Sequence, residues 1–388
     1  MIKTIHNTID NLYPEMVEIR RYLHQYPELS FKEFKTAQYI ADFYEKLGIP
    51  YQTNVGGNGV IATLKGGKPG KTVALRADFD ALPIQDEKDV PYKSKVAGVM
   101  HACGHDGHTA SLLLLAKAMK DFQADIPGTI VFLHQHAEEL APGGAKPIIE
   151  SGALDHVDAV FGTHLWATVP FGEVLTSKDV FMAGADRFEI IIQGQGGHGA
   201  APHETKDAIV IGAELVTQLQ QIVSRRIDPL ETAVVTVGSF NAGHSFNIIA
   251  DKAKLIGTVR YLNLDIQTQL IQEMEKIIKG ICLGNDATYT FDYVKGYPPL
   301  VNHEKEAELV LRASKKIKEI HLAKEVVPSM GAEDFTYYLL KKPGAYFFTG
   351  AEKDGSPYPH HHPKFDFDER ALPVAAKVLI QAYFDYQQ

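Results

Sequence analysis

The stretch Thr129-Ile-Val-Phe-Leu-His-Gln135, followed at once by His136-Ala-Glu138-Glu139, decides how this chain is read. Its apolar run is short and bounded, which predicts a strand buried in a sheet. An imidazole and two carboxylates follow where that strand ends. The pattern recurs: Thr72-Val-Ala-Leu-Arg-Ala77 runs into Asp78-Phe-Asp80, and Ala159-Val-Phe-Gly-Thr163 runs into His164. In open α/β sheets, ligands sit in the crevice beyond the carboxyl ends of the strands. These three segments therefore aim Asp78, Asp80, Glu138, Glu139 and His164 at one edge.

A fourth segment can join that edge. Met100-His-Ala-Cys103-Gly-His105-Asp-Gly-His108 packs imidazoles, a thiol and a carboxylate into one loop, then enters Thr109–Met119, a stretch of good helix propensity. Cys103 and His105 are two apart, a spacing that lets thiolate and imidazole converge on one cation or on two adjacent ones. Alone, the loop reads equally well as a helix cap at Asp106 beside a half-buried cysteine. The other ligand-bearing strand ends favour the metal reading.

The rest of the chain completes an α/β fold. Residues 4–26 carry apolar residues at helical spacing, and a second helix from Phe34 stops at Gly48 before Pro50. After about residue 180 the pattern changes: strands are predicted at Arg187–Gln193, Thr232–Phe240, Lys252–Leu262 and Thr288–Val294, with helices at 206–227 and 265–283. This β-α-β-β-α-β order is ferredoxin-like. A helix at 304–319, a strand at Ala345–Thr349 and a last helix around Leu372–Tyr386 return the chain to the first layer. The expected architecture is a catalytic domain, residues 1–182 and 297–388, with a mixed, mostly parallel sheet flanked by helices. Residues 183–296 are expected to form an inserted α+β domain. For Glu333 and Asp334 the local alternative to a functional role is capping a helix that begins at Phe335.

Composition excludes several classes. At 388 residues the chain exceeds one ordinary core, and 45% hydrophobic with 22% charged residues is globular. A net charge of −9 argues against nucleic-acid binding. No run approaches the roughly 20 apolar residues of a membrane span, and the first residues lack a secretory apolar core. A cytosolic enzyme is expected. With only two cysteines there is no disulfide framework; Cys282 is expected in the core. Gly194-Gln-Gly-Gly-His-Gly199 satisfies G-x-G-x-x-G, but Ala200-Ala-Pro202 stands where the dinucleotide-binding helix should open. No G-x-S-x-G elbow is present.

A mixed set of thiolate, imidazole and carboxylate suits zinc and related first-row ions. Of two adjacent glutamates beside a cation, one can bind it while the other acts as general base on an activated water. The predicted chemistry is metal-assisted hydrolysis.

Six segments then carry a resemblance: Arg76-Ala-Asp-Phe-Asp-Ala-Leu-Pro83, Met100 to His108, His136-Ala-Glu-Glu139, Gly197-His-Gly-Ala-Ala-Pro-His203, Gly331-Ala-Glu-Asp-Phe335 and His361-His-Pro-Lys-Phe365. In this order they resemble the hippurate hydrolase and indoleacetyl-amino-acid hydrolase branch of the dinuclear aminoacylase/carboxypeptidase superfamily, which includes N-acetyldiaminopimelate deacetylase. The resemblance runs from about Arg20 to Glu369. It implies Cys103, His105, Glu139, His164 and His361 as ligands of two divalent ions (zinc, manganese, cobalt or nickel) and Glu138 as general base. It further implies that Asp80, with Asp78, orients a ligand, that His198 polarises the scissile carbonyl from a partner subunit, and that Asn247 and Arg260 hold the substrate carboxylate. The inserted domain is implied as a dimerisation or lid domain of a homodimer or homotetramer. The expected substrate is an N-acyl amino acid or a short carboxylate-bearing peptide. Aminopeptidase or carboxypeptidase activity is the alternative, and a non-catalytic metal-dependent binding protein a further one. His101, His108, His134 and His136 are expected in packing or supporting roles. Leu140-Ala-Pro-Gly-Gly144 departs from the glycine-rich run that usually follows the glutamates.

Overall fold

The computed structural model describes residues 1–388. In chain order the elements are α1 (Ile2–Asn11), α2 (Tyr13–Gln25), α3 (Phe34–Leu47), β1 (Tyr51–Val55), β2 (Gly59–Lys65), β3 (Lys68–Asp78), α4 (His105–Lys120), β4 (Pro127–Gln135), α5 (Ala145–Glu150), β5 (Ala159–Trp166), β6 (Glu173–Thr176) and β7 (Val180–Met182). They continue through β8 (Gly184–Gln193), β9 (Gly197–His198), α6 (Ala208–Arg225), β10 (Ala233–Ala242), β11 (Ile248–Ile249), β12 (Lys252–Tyr261), α7 (Leu264–Gly284) and β13 (Thr288–Tyr297). The chain closes with β14 (Leu300–Val301), α8 (Glu304–Ser314), β15 (Leu322–Glu325), α9 (Thr336–Leu339), β16 (Gly344–Gly350) and α10 (Ala371–Tyr386). No helix is long and apolar enough to cross a membrane.

Two compact units emerge. The first comprises Met1–Phe181, Val301–Val327 and Asp334–Gln388; the second comprises Met182–Leu300 and Pro328–Glu333. The short returning piece is tied to the second unit because Ala183 donates its backbone N–H to the carbonyls of Ser329 and Gly331, both at 2.9 Å.

The first unit is built on an eight-stranded sheet of order β1-β2-β4-β3-β5-β16-β6-β15. Strands β4, β3, β5 and β16 run parallel, with Asp78 opposite Gln135 and Phe348 opposite His164. Their carboxyl ends therefore share one edge, as parallel pairing requires. The strands β1 and β2 join antiparallel on one side, while β6 runs antiparallel to β16 on the other. Helix α4 packs against β3, α2 and α10. Its residues are buried all round except Lys117 and Lys120, so Leu112–Leu115 serve every face of the helix rather than one stripe.

Several boundaries differ from the sequence expectation. The pattern over residues 4–26 is two helices, since Pro14 enters the first turn of α2; within a continuous helix its missing N–H and its ring would break the ladder. Helix α4 begins at His105, not Thr109, because Gly104 takes φ 97° and turns the loop into the helix there. The N-cap residue of α4 is Gly104, not Asp106; Asp106 Oδ1 accepts from the Gly107 N–H at 3.0 Å in the first turn, and its Oδ2 pairs with Arg20 at 2.9 Å and His24 at 2.8 Å. Asp334 accepts from Arg76, Gln135 and the Ala145 backbone N–H at the start of α5. Helix α8 ends at Ser314, before 319, and β15 follows.

The second unit has a four-stranded antiparallel sheet of order β10-β12-β8-β13. In the β-α-β-β-α-β sequence of its main elements this is the ferredoxin-like arrangement. Strand β8 alternates, burying Phe188, Ile190 and Ile192 against Leu215 and Leu219 of α6 and Met274 and Ile278 of α7. Cys282 fills this core. The helices start where Asp207 accepts from Ile209 and Val210 backbone N–H, and where Asn263 accepts from Asp265.

Candidate metal centre

The parallel strand ends of the first unit and the loop before α4 converge on one cluster. Cys103 Sγ lies 3.3 Å from His164 Nε2. His105 Nε2 is 3.8 Å from Glu139 Oε1 and 4.0 Å from Glu138 Oε2. His361 Nε2 is 3.4 Å from Glu139 Oε2. Three overlapping groups, Cys103/His105/His164, Cys103/Glu139/His361 and His105/Glu138/Glu139, each keep their donor atoms within 4.8 Å of one another. Shared members make them one extended cradle of sulfur, nitrogen and oxygen donors.

Two of the imidazoles, His164 and His105, are oriented by their other nitrogen. His164 Nδ1 donates to the Leu165 carbonyl at 2.9 Å, turning Nε2 toward the thiol. His105 Nδ1 faces the Asp80 carbonyl and carboxylate at 3.0 and 3.1 Å. His105 Nε2 and Glu139 Oε1 remain buried without a hydrogen-bond partner. Buried polar atoms are almost always paired, so such orphans facing a thiol and carboxylates are what a cation would satisfy. Asp80 Oδ2 also accepts from Ser30 Oγ at 2.7 Å and Glu139 N–H at 3.0 Å, so one carboxylate sets both a histidine and the glutamate loop.

The charges conflict without a cation. Burial, then the Glu139 and Glu138 charges, hold the Cys103 thiol well above its usual range. Burial opposes charge on His105, but Asp78 and the hydrogen bond to Asp80 push it up to about 10. Burial and the neighbouring His108 hold His164 well below the usual histidine range. The hydrogen bond to Glu139 raises His361. A bound cation would reverse this logic, favouring the thiolate and neutral imidazoles.

The neighbouring histidines divide clearly. His108 spends Nδ1 on Asp78 at 2.6 Å and Nε2 on the Leu165 N–H at 2.9 Å. His134 Nε2 meets the Tyr44 hydroxyl at 2.8 Å. His136 packs edge-on to Phe31, and His101 is buried, its pKa pushed down to about 4 by burial. In the His360–His362 triplet, His360 accepts from Ala167 N–H and His362 from Lys364 N–H, leaving His361 facing Glu139.

In the second unit, β9 pairs with β11, placing exposed His198 opposite Ile248, while Gly199 donates to the Asn247 carbonyl at 2.9 Å. His198 and Asn247 are thus neighbours. Arg260 lies on β12, where burial lowers its pKa and Asp186 raises it.

Sequence reasoning missed Ser30 and Glu33, in the loop between α2 and α3, which reach Asp80 and the glutamate loop. It also missed Arg76, whose buried guanidinium bonds Asp78, Gln135 and Asp334 beneath the cluster. An arginine within an apolar strand needs buried acidic partners, and that signal was available.

Comparison with known proteins agrees with this geometry. Peptidase family M20/M25/M40 matches residues 74–384. The provisionally named amidohydrolase YhaA of Bacillus subtilis (strain 168) is 54% identical over 388 residues, covering 100% of this chain and 98% of that one. An N-acyl-L-amino acid amidohydrolase of Geobacillus stearothermophilus is 46% identical over 300 residues, 77% of this chain and 81% of its own. The crystal structure of Bacillus subtilis YXEP, described as a dinuclear metal binding peptidase of the M20 family, superposes with TM-score 0.83 at 33% identity, covering 98% and 99%. The chain belongs to peptidase family M20/M25/M40.

Proposed function

We propose that this protein hydrolyses the amide bond of N-acyl amino acids or of small carboxylate-bearing peptide-like substrates. The observation that carries the reading is the pair of buried, unpartnered atoms, His105 Nε2 and Glu139 Oε1, facing Cys103, Glu138 and His361. Cys103, His105, Glu139, His164 and His361 would hold two divalent ions; thiolate with imidazole favours zinc, and a mixed site that includes the Glu139 carboxylate also admits manganese, cobalt or nickel. Such ions supply Lewis acidity and lower the pKa of water.

The protein's own groups do the rest. Glu138, buried beside His105, takes a proton from the attacking water and returns it to the leaving amine. Asp80 holds His105 and the Glu139 backbone in place. His198 donates to the carbonyl oxygen as it gains charge, while Asn247 and Arg260 bind the substrate carboxylate. The second unit, residues 183–296 in the expected division, serves as dimerisation or lid domain. Its edge strand β10 and helix α6 expose Phe240, Ile209, Val210 and Val223, an apolar margin suited to a second copy. Two free cysteines fit a reducing cytosol.

Peptidase action on short peptides is the second reading, favoured by the description of YXEP as a peptidase. The test is a release assay over N-acetyl amino acids, N-benzoyl amino acids and dipeptides, with the metal varied. Preference for acyl amino acids supports the first reading and preference for dipeptides the second. Full hydrolysis by rigorously demetallated protein would overturn both.

A further inference from the structure

Glu33 sits at the N-cap position of α3, yet makes no side-chain cap bond. That task falls to Glu28, whose Oε2 accepts from the Thr36 backbone N–H at 2.8 Å and the Thr36 hydroxyl at 2.9 Å. The Glu33 carboxylate is fully buried and turns toward the glutamate loop instead. One oxygen, Oε1, accepts from the backbone N–H of both Phe31 and Ala137 at 2.9 Å, and Oε2 accepts from Asn58 Nδ2 at 2.9 Å. Phe31 and Ala137 are two of the few non-glycine residues with left-handed backbone, φ 65° and 52°. A left-handed alanine has no side-chain bond to hold it there, so the restraint must come from its surroundings. Gly57 lets the Asn58 loop approach: a Cβ there would stand 2.5 Å from His136 Nε2.

The loop is therefore pinned on both sides of Glu138. Asp80 takes the Glu139 N–H and Glu33 takes the Ala137 N–H. We propose that Glu33 is a positioning residue which, by anchoring Ala137, fixes the direction in which the Glu138 carboxylate points. Glu139 has its own anchor in Asp80, so loss of Glu33 falls on Glu138 more than on the metal ligands. The inference rests on Glu138 acting as general base.

Three variants, Glu33→Ala, Glu33→Gln and Asn58→Ala, are assayed as full-length protein loaded with metal, on the best-cleaved member of the N-acyl amino acid panel. Misplacement of a reacting group by about 1 Å costs roughly 10²-fold in rate. Glu33→Ala is expected to lower kcat at least about 10-fold, with KM and bound metal little changed. Glu33→Gln keeps an oxygen for both N–H groups and should recover most of kcat. Asn58→Ala, at a half-buried loop position, leaves Oε1 intact and covers the case in which Glu33→Ala does not fold; kcat should fall about 2- to 5-fold in protein that remains folded. Unchanged kcat in folded Glu33→Ala or Asn58→Ala, or metal lost in step with activity, would overturn the proposal, as would a folded Glu33→Gln no better than Ala. Glu138→Gln assayed alongside separates the two readings. If it remains active, the base assignment fails; if it is inactive while Glu33→Ala is fully active, only the Glu33 inference fails.

Discussion

Cys103 Sγ stands 3.3 Å from His164 Nε2, a contact between residues 61 apart in sequence. It exists because the loop before α4 folds over the carboxyl end of β5. His164 is held neutral by burial and Cys103 protonated by burial and carboxylates, so this pair can bind a cation only by giving up a proton.

Metal binding is therefore expected to release protons. His105, pushed up to about 10, is charged at neutral pH without a cation and must also deprotonate. About two protons should leave per loaded site, and affinity should climb with pH. Calorimetric titration in buffers of different ionisation heat counts them, and binding without proton release contradicts the ligand set. The sign for the metal-free protein is opposite: the raised His105 stabilises fully below its unfolded value near 6.5, and that contribution is lost as pH rises through about 10. Chelated protein should thus lose stability on going alkaline.

Asp80→Asn should weaken metal binding by roughly 10- to 100-fold. The substitution removes charge from the group that accepts from Ser30 Oγ and Glu139 N–H and orients His105. Competition against a chromogenic chelator reads the change; wild-type affinity would argue that Asp80 orients nothing.

Glu138→Gln should cost at least about 10²-fold in kcat while metal content stays near normal. His198→Ala should also depress kcat, without altering bound metal. If His198 serves a neighbouring subunit, mixing the two inactive proteins restores part of the activity. Absence of recovery from a mixture shown to exchange subunits would place His198 in its own subunit's site.

Away from the centre, Asp366→Asn should lower stability by roughly 2 kcal/mol. Asp366 is buried against Arg20 at 2.9 Å and the Tyr92 hydroxyl at 2.7 Å. Burial opposes its charge, but Arg20 and Lys353 hold its carboxyl below the usual range. A depressed folded pKa means that the stabilisation is complete above about pH 4 and fades as pH falls further. The gap between wild type and variant in urea should be constant from neutral pH to pH 5 and narrow below 4. A constant gap at every pH would remove the charge from the explanation.

Much of the fold was legible because burial imposes period. The short apolar runs leading to Asp78, Gln135 and His164 read as central strands, and the alternation of β8 as a half-covered sheet. Ends of elements were less legible, since Gly104 and Pro14 act through backbone geometry rather than through polarity. The long-range partners of Asp106 and Asp334 were not legible for a related reason. Local spacing shows only near neighbours, whereas their partners, Arg20 and Arg76, arrive from distant segments.

The sequence by itself determined the chemistry: which side chains can bind cations, that they follow strands, and that a glutamate pair stands among them. Tertiary structure decided what the two nitrogens of each histidine touch, because an imidazole's role depends on what occupies its second nitrogen. His108 and His164 are alike in sequence terms, yet backbone and carboxylate claim both nitrogens of the first and one of the second. It also decided the place of Glu33, a carboxylate that no motif marks and that matters through a hydrogen bond to a backbone 104 residues away. Hydrogen bonds are directional and short, so their partners are set by the packing of the whole unit rather than by order along the chain.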